Sequence, residues 1–564
     1  MTDGSGTAIN NDFLNKKSWE GFNNWLHCIC IITFDLELGQ ALESVYPKHI
    51  RLTKQEISNI CYLAFPDSNS GCMGDTSFVI RVPSQGTKQL RSELVQYNAK
   101  CLSSLKVVET HYWGYVYFRQ VKDITMPRGY FQKSVVLLSY LPFVNLFSKL
   151  CGYIAPEYFE HGDASLEAVC CNIDAWPSPV PGSTLALPIL GSVFQTYIPK
   201  SGNYTANSNL VSQSDSVGNQ VIMNVEDLNL FEILQPVLPH IHLLWELVIT
   251  SEPIVVMASS PINCSSMVLA LTRMISPLQF CGDYRPYFTI HDSDFKQYTS
   301  RIQGPPPVIL GVTNPFFAKT FHHWPHTIRL SENLSYCQKY KLKRTASTKI
   351  VEGDSGIYTT YKPFLHKDKN IIKKLMSGVS SKRPCEVQSA MLKRHLLELT
   401  ESFIIPLERY LASLMPLQKD VTPFKAAPKP DTFNPENFFA TLENAGPQLT
   451  LGNTGIKGDW IGLYKKFFRS PNFTAWFHTR YTELTLKLQA LQLEALATAD
   501  LKSWVQDRDE VEIMDMVLKI KANIGKCDET KIPIGNTVKP QLSQRLDDIV
   551  ASLPDDLKNI LEIS

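Results

Sequence analysis

PIVVMAS at 253–259 and PPVILGV at 306–312 are short runs with no polar residue in alternate places, the rhythm expected of a strand with one face in water. Strands of this kind must be covered on both faces, which ties them to a sheet sandwiched between helices. Ile241, Leu244, Trp245 and Val248 fall at i, i+3, i+4 and i+7, a helix with a broad apolar face. SSMVLALTRMIS reads as a second helix, RPYFTI as another strand, and 326–331 as one more. Helices alternating with fully apolar strands predict a largely parallel sheet over residues 225–384. Within it, residues 335–384 are read as a basic, irregular, solvated loop on account of KYKLKRTASTK and KDKNIIKK.

The region before it has a different grain. The apolar run from Trp25 to Phe34 reads as a buried strand, and Leu52 to Phe65 has helical spacing behind a Thr53 cap with Glu56 three residues on. TSFVIRV, HYWGYVYFRQV and FQKSVVLLSYL follow as strands with few helices between them, and Leu146 to Cys171 supplies helices. That order predicts an antiparallel sheet with helices packed against it over residues 23–177. Residues 1–22 are expected to be a flexible terminus. WPSPVPGS and the polar stretch SGNYTANSNLVSQSDSVGNQ place a linker over 178–224, because small polar residues cannot repay the entropy of ordering. From 385 to 564 the chain reads as helical. Leu392, Leu396, Leu399 and Phe403 form one stripe, and Pro406 is expected to break or kink it.

A chain of 564 residues is too long for one hydrophobic core, so several modules are required. Fifty-five basic against fifty-four acidic residues leave a formal charge of +1, which gives no global field to hold nucleic acid. Neither WLHCICIITF nor LLWELVITSEPIVVMA reaches the roughly 20 apolar residues of a membrane span, so any membrane contact is expected to be peripheral. The amino terminus lacks the apolar core of a secretory signal, which points to a cytoplasmic chain with reduced, core-packed cysteines.

Catalytic signatures are missing: there is no phosphate loop, no G-x-G-x-x-G turn after a strand, no H-E-x-x-H helix and no paired C-x-x-C. Three partial matches have plainer readings. Gly353-Asp354-Ser355-Gly356 lies in the basic segment without a strand framework. His322, His323 and His326 are split by Pro325 and lack a neighbouring carboxylate or thiol, so they read as core or surface histidines. His291, Asp292 and Asp294 form an acidic turn, in which one aspartate is expected to cap the next helix.

Seven segments in one order carry a resemblance: FDLELGQALESVYP, LPFVNLF, LLWELVITSEPIVVMASSP, ISPLQFCGDYRPYFTIHDSDF, PPVILGVTNPFFAKTFHHWPH, LELTESFIIPLERYLASLMPLQK and IKGDWIGLYKKFFRSPNFTAWF. Together they resemble the DENN-domain family, in particular its sixth subgroup, whose members are guanine-nucleotide exchange factors for Rab small GTPases. The resemblance implies α/β plus all-α architecture: a bilobed DENN module with a longin-like first lobe, a second α/β core lobe and a helical carboxy-terminal part. It implies a regulator without covalent catalysis, metal or cofactor. Its expected partner is a Rab GTPase in the GDP-bound or nucleotide-free form, met between two lobes, with peripheral recruitment to recycling endosomes.

Carried over by motif, the residues expected to meet the GTPase are Asp35, Glu37, Gln40 and Glu43 in the first module, and Ser259, Ser260, Arg285, Asp292, Asn314 and Phe316 in the second. Plainer roles compete at several of them. Glu37-x-Gly39 could shape a hairpin turn, Arg285 could pair with Asp283 or Asp292, and Phe316 could be core. In the stretch 310–326, Gly311 is expected to let the chain leave its strand sharply, and Thr313-Asn314-Pro315 to present Phe316 and Phe317. Ser347, three residues after Arg344, has the spacing of a basophilic kinase site. Three rivals are a DENN-type scaffold without exchange activity, an activating protein using Arg128 as a finger, and a coat adaptor binding phosphoinositide through the lysines of 339–349.

Overall fold

The computed structural model describes residues 19–67, 73–85, 91–126, 129–201, 223–225, 228–302, 304–330, 341–344, 355–417, 421–445, 456–506, 508–529, 532–535, 537–551 and 553–554. The chain divides into two compact units, residues 1–400 with 453–472, and residues 401–452 with 473–564. Both sheets foreseen from the sequence lie in the first unit.

The first sheet is antiparallel throughout. It consists of β1 (Cys28–Asp35), β2 (Gly39–Tyr46), β3 (Gly74–Pro83), β4 (His111–Lys122) and β5 (Tyr130–Ser139), in the order β2-β1-β5-β4-β3. Its strands are rich in Val, Ile, Tyr and Phe, which fit a pleated, half-buried surface. The helices Val144–His161 and Asp163–Asp174 cover one face, burying Phe147, Leu150, Ile154 and Leu166. Trp25 closes this core, packed edge-on against Trp176 and Phe143. The helix Lys54–Leu63 starts where expected: Thr53 Oγ1 accepts from Glu56 N, and Glu56 Oε2 accepts in return from Thr53 N.

A second, small sheet was not foreseen. After the WPSPVPGS turn, β6 (Thr184–Ile189) and β7 (Ser192–Tyr197) form a hairpin, which β8 (Met223–Asn224) joins. Leu190 and Gly191, at φ 46° and 79°, make its two-residue turn; positive φ at both positions matches the natural twist of a hairpin.

The third sheet runs β10-β11-β9-β12-β14-β13, from β9 (Ile254–Met257), β10 (Asp283–Arg285), β11 (Val308–Val312), β12 (His326–Arg329), β13 (Lys341–Arg344) and β14 (Gly356–Thr359). Strands β10, β11, β9 and β12 are parallel, as the apolar runs require, and β14 returns antiparallel beside β12. Every residue of β9 and β11 is buried. Every residue of the helix Ile241–Ile249 is buried too, beyond the one-sided stripe its spacing suggested.

Four sequence expectations are corrected here. RPYFTI is regular strand only at Arg285, because Pro286 has no N–H to continue the ladder; one further backbone bond, from Phe288 N to Gly311 O at 2.7 Å, holds it to β11. The segment 335–384 is not a loop throughout: β14 is wholly buried and Lys369–Ser380 is a helix capped by Asp368, whose carboxylate accepts from Asn370 N and Ile371 N. Gly311 does not end its strand. It lies inside β11, where a side chain would collide with the carbonyl of Pro286. The helix Cys385–Ser413 continues through Pro406, so losing one backbone donor does not break it.

Among its described residues the second unit holds helices alone. Leu493, Leu496, Leu501, Val517, Ile520, Leu542 and Ile549 form its core. A separate aromatic cluster gathers Phe433 with Phe473, Phe477 and Phe438. Among the described residues no helix is long and apolar enough to cross a membrane.

Candidate functional site

The turn between β1 and β2 is built by its own residues. Asp35 Oδ1 accepts from Glu37 N at 2.8 Å and from Leu38 N at 2.9 Å, and these donors, Leu38 first, hold its carboxyl below the usual carboxylate range. Gly39 closes the turn at φ 77°, a left-handed conformation that favours glycine. Asp35 and Gly39 therefore shape the hairpin, and Leu36, Glu37 and Leu38 project from it. The two leucines are 62% and 77% exposed, far more than a turn needs. Gln40 is half-buried opposite Phe34 on β1. Glu43 is the extra residue of a bulge facing Ile31 and Ile32, and pairs with Lys133 Nζ at 2.8 Å. It lines a groove of about 380 Å3 along the outer edge of β2, with Leu42, Val45, Ile50 and Ile57.

The second-module candidates sit on loops at one end of the parallel sheet. Because β9, β10 and β11 point the same way, the segments that leave them emerge together. This is the end of a parallel sheet where ligands and partners commonly bind. Ala258 N donates to Val312 O, so Ser259 and Ser260, both half-buried, lie beside Thr313 and Asn314. Asn314 Oδ1 accepts from Phe316 N at 2.9 Å and fixes the turn that starts the short helix Phe316–Thr320. Phe317 is buried against Phe288 and Phe321, whereas Phe316 is half exposed and stacks beside Phe295. The turn thus presents one ring and buries the other.

The residues 62–67 tie the two sets together. The ring of Phe34, just before the hairpin, packs on Phe65. Tyr287 Oη donates to Phe65 O and accepts from Asp67 N at 2.8 Å. Asn314 Nδ2 donates to Asp67 Oδ1, and Tyr62 stacks on His291 with ring centroids 4.3 Å apart. Burial raises the Asp67 carboxyl, with the Asn314 amide pulling the other way. A continuous seam therefore runs from the hairpin through 62–67 to the loops after β10 and β11. Along it, Leu36, Leu38, Ile262, Ile290 and Phe316 expose large apolar surface.

Arg285 and Asp292 lie beneath this seam. Arg285 is 4% exposed, with Nε on Asp283 at 2.9 Å and a terminal nitrogen on Asp294 at 2.6 Å. Of the two foreseen partners it takes Asp283, and Asp294 in place of Asp292. Arg81 from β3 reaches the same Asp283 at 3.2 Å, donates to Tyr284 O and stacks on the Tyr284 ring. Against the cost of burial, Arg285 and then Arg81 hold Asp283 down to about 2. Asp292 is buried, and its Oδ1 accepts from Asp294 N at 3.0 Å. Burial raises its carboxyl despite Arg285 nearby. Asp294 is the first residue before the helix Phe295–Thr299, but its side chain makes no capping bond and turns to Arg285 instead.

The other partial matches take structural places. His326 is buried between Thr359 Oγ1 and Glu252 Oε2, and among the described residues no group of His, Cys, Asp and Glu is placed to hold a metal ion. Arg119 pairs with Asp75. Ser347 and Arg128 lie outside the described residues, as do Gly353 and Asp354 and most of 339–349. Sequence reasoning missed Leu36, Leu38, Tyr62, Asp67 and Ile290. The leucines carried a readable signal, since two large apolar residues in a tight polar turn have no core to enter.

Comparison with known proteins gives the chain its relatives. Residues 501–564 match the model of the DENND6 C-terminal domain, and residues 228–333 match the model named stabilization of polarity axis. The chain is 50% identical over 551 residues to protein DENND6A of Mus musculus, covering 96% of this chain and 91% of the mouse protein. It is 49% identical to protein DENND6B of Homo sapiens, covering 96% and 94%. It is 31% identical to the protein DENND6 homolog of Dictyostelium discoideum, covering 92% and 79%. With half of all residues shared across nearly the full length of both chains, this protein belongs to the DENND6 family of DENN-domain proteins.

Proposed function

We propose that this chain is a guanine-nucleotide exchange factor that releases GDP from a Rab GTPase in endosomal traffic, and that the seam described above is where it binds the switch regions. DENN-type proteins are in general exchange factors for Rab GTPases, and the chain is of that type. The observation that carries the reading is the row of exposed apolar side chains, Leu36, Leu38, Ile290 and Phe316, beside Glu37, Ser259, Ser260 and Asn314. A monomer leaves few such patches in water without a partner for them.

The chemistry asked of this surface is modest. A GTPase holds its nucleotide through phosphate contacts and a magnesium ion, with switch loops ordered around them. At picomolar affinity that is roughly −16 kcal/mol. A protein that binds the switches best when the site is empty weakens nucleotide binding by the same factor, because linkage is reciprocal. Shape and area suffice. In this reading Glu37, Gln40, Ser259, Ser260, Asn314 and Phe316 touch the GTPase. Asp35 shapes the hairpin that carries Glu37, Arg285 and Asp292 support the loops from below, and Glu43 offers a contact at the sheet edge.

The test is release of a fluorescent guanine nucleotide from a panel of purified Rab GTPases with substoichiometric full-length protein. Rapid release from one or two of them, with many turnovers per molecule, is expected. Binding to the empty GTPases without acceleration on any would replace exchange with a scaffold role.

A further inference from the structure

The helix Lys369–Ser380 presents one face to solvent that is entirely polar. Lys369, Asn370, Lys373, Lys374, Ser377, Ser380 and Ser381 follow helical spacing along it and are all exposed, while Leu375 and Gly378 are buried beneath. From Lys362 to Arg383 the chain carries seven lysines and arginines against the single carboxylate of Asp368, a net +6 where the whole protein is +1. Among the described residues none of Lys369, Lys373, Lys374, Lys382 and Arg383 forms an ion pair.

The face is also built. Lys382 turns the chain at φ 52°, and Arg383 N donates to Gly378 O at 2.9 Å, which brings Arg383 back against the helix. Gln388 fills the space a side chain at Gly378 would need, donates to Leu375 O and accepts from Arg383. A groove of about 480 Å3 results, lined by Asn370, Lys373, Lys374, Ser377 and Arg383.

We propose that this face docks on a membrane surface rich in anionic lipid headgroups. The charge complementarity is direct, and the extent decides the occupant. The helix is roughly 18 Å long, with Lys369 at its start, Lys373 and Lys374 midway and Lys382 and Arg383 just past its end, a spread wider than one phosphate and matched to an array of headgroups. No large apolar side chain is exposed on the face, so docking is electrostatic and peripheral, without insertion. Serines at 377, 380 and 381 keep the surface flat enough for close approach. Each lysine or arginine held near such a membrane raises partitioning about fivefold, and the effect falls off within a Debye length.

The experiment is sedimentation of the full-length protein with phosphatidylcholine vesicles, with and without phosphatidylserine. The wild type is expected to bind only the anionic vesicles and to be released by high salt. The double variant Lys373→Glu with Lys374→Glu is expected to lose at least about twentyfold in partitioning. It should keep its thermal melting temperature, since both side chains are exposed, and its exchange activity on a soluble GTPase, so failure here is separable from failure of the exchange reading. Lys149→Glu, exposed on another helix, serves as the charge control and should bind as the wild type does. A wild type that ignores anionic vesicles, or a double variant that binds them equally, overturns the proposal. Binding to polyglutamate but not to anionic vesicles assigns the face to an acidic protein and overturns it as well.

Discussion

Replacing Asp283 by Asn removes the charge of a carboxylate that Arg81 and Arg285 share: Arg285 keeps Asp294, whereas the nearly buried guanidinium of Arg81 is left facing an amide. The side chains of Arg81 and Arg285 are 10% and 5% exposed, so water cannot take over the lost interaction. Asp283 itself is 30% exposed, which softens the cost. Two routes give a similar size. Its carboxyl is lowered from 3.8 to about 2, which corresponds to about 2 kcal/mol of preference for the charged form in the folded state. Breaking a buried pair by removing one partner costs about 3–5 kcal/mol, and partial exposure takes the lower end. The expected loss is therefore about 3 kcal/mol. The assay is urea unfolding followed by tryptophan fluorescence, for which Trp113 is a local reporter, since its ring lies 5.8 Å from Arg81. The folded value lies below the unfolded one, so this stabilisation is fully present above pH 3.8 and is lost as pH falls through about 2. The deficit of the variant should accordingly be nearly the same at pH 5 and at pH 8, since both lie above the folded and the unfolded value. A deficit under about 1 kcal/mol at both would refute the view that this cluster is a buried charge network rather than a solvated one.

Two further outcomes follow from the same geometry. Leu36→Glu combined with Leu38→Glu should leave stability within about 0.5 kcal/mol, because both side chains are exposed, yet lower kcat/KM for nucleotide release at least about tenfold. Unchanged exchange would remove the hairpin from the docking surface. Glu246 is fully buried and accepts from Phe364 N and Leu365 N at 2.9 Å each, but burial outweighs these donors and raises its carboxyl from 4.5 to about 7. A raised value favours the protonated folded state, so this contribution is complete below pH 4.5 and is lost as pH rises through 7, up to about 3 kcal/mol in all. Melting curves between pH 5 and 8 should show the wild type weakening with pH and Glu246→Gln with a flatter profile. A parallel slope in the variant would exclude Glu246 as its source.

The elements that sequence alone determined are those whose signal is local. Alternation and apolar runs placed β1, β3, β4, β5, β9, β11 and β12, since a strand buried on both faces reads differently from one with a wet face. Thr53 and Glu56 announced the start of their helix, because a capping box needs only four neighbouring residues. The ordered motifs were enough to indicate the family, because residues shared in one order across a chain do not depend on knowing the fold.

Tertiary structure decided what depends on distant partners. The basic composition of 335–384 concealed β14, whose place is set by pairing with β12, and concealed the helix Lys369–Ser380. Gly311 looked like a turn signal, but its reason is the Pro286 carbonyl, 25 positions earlier in the chain. Arg285 and Phe316 were indistinguishable as contact candidates in the sequence. The structure gives one to a buried pair with Asp283 and leaves the other half exposed. The seam itself, Tyr62 on His291 and Asp67 on Asn314, joins residues more than two hundred positions apart. Local propensity carries no information about such pairs, because they form only when burial of the two sheets' shared core brings them together.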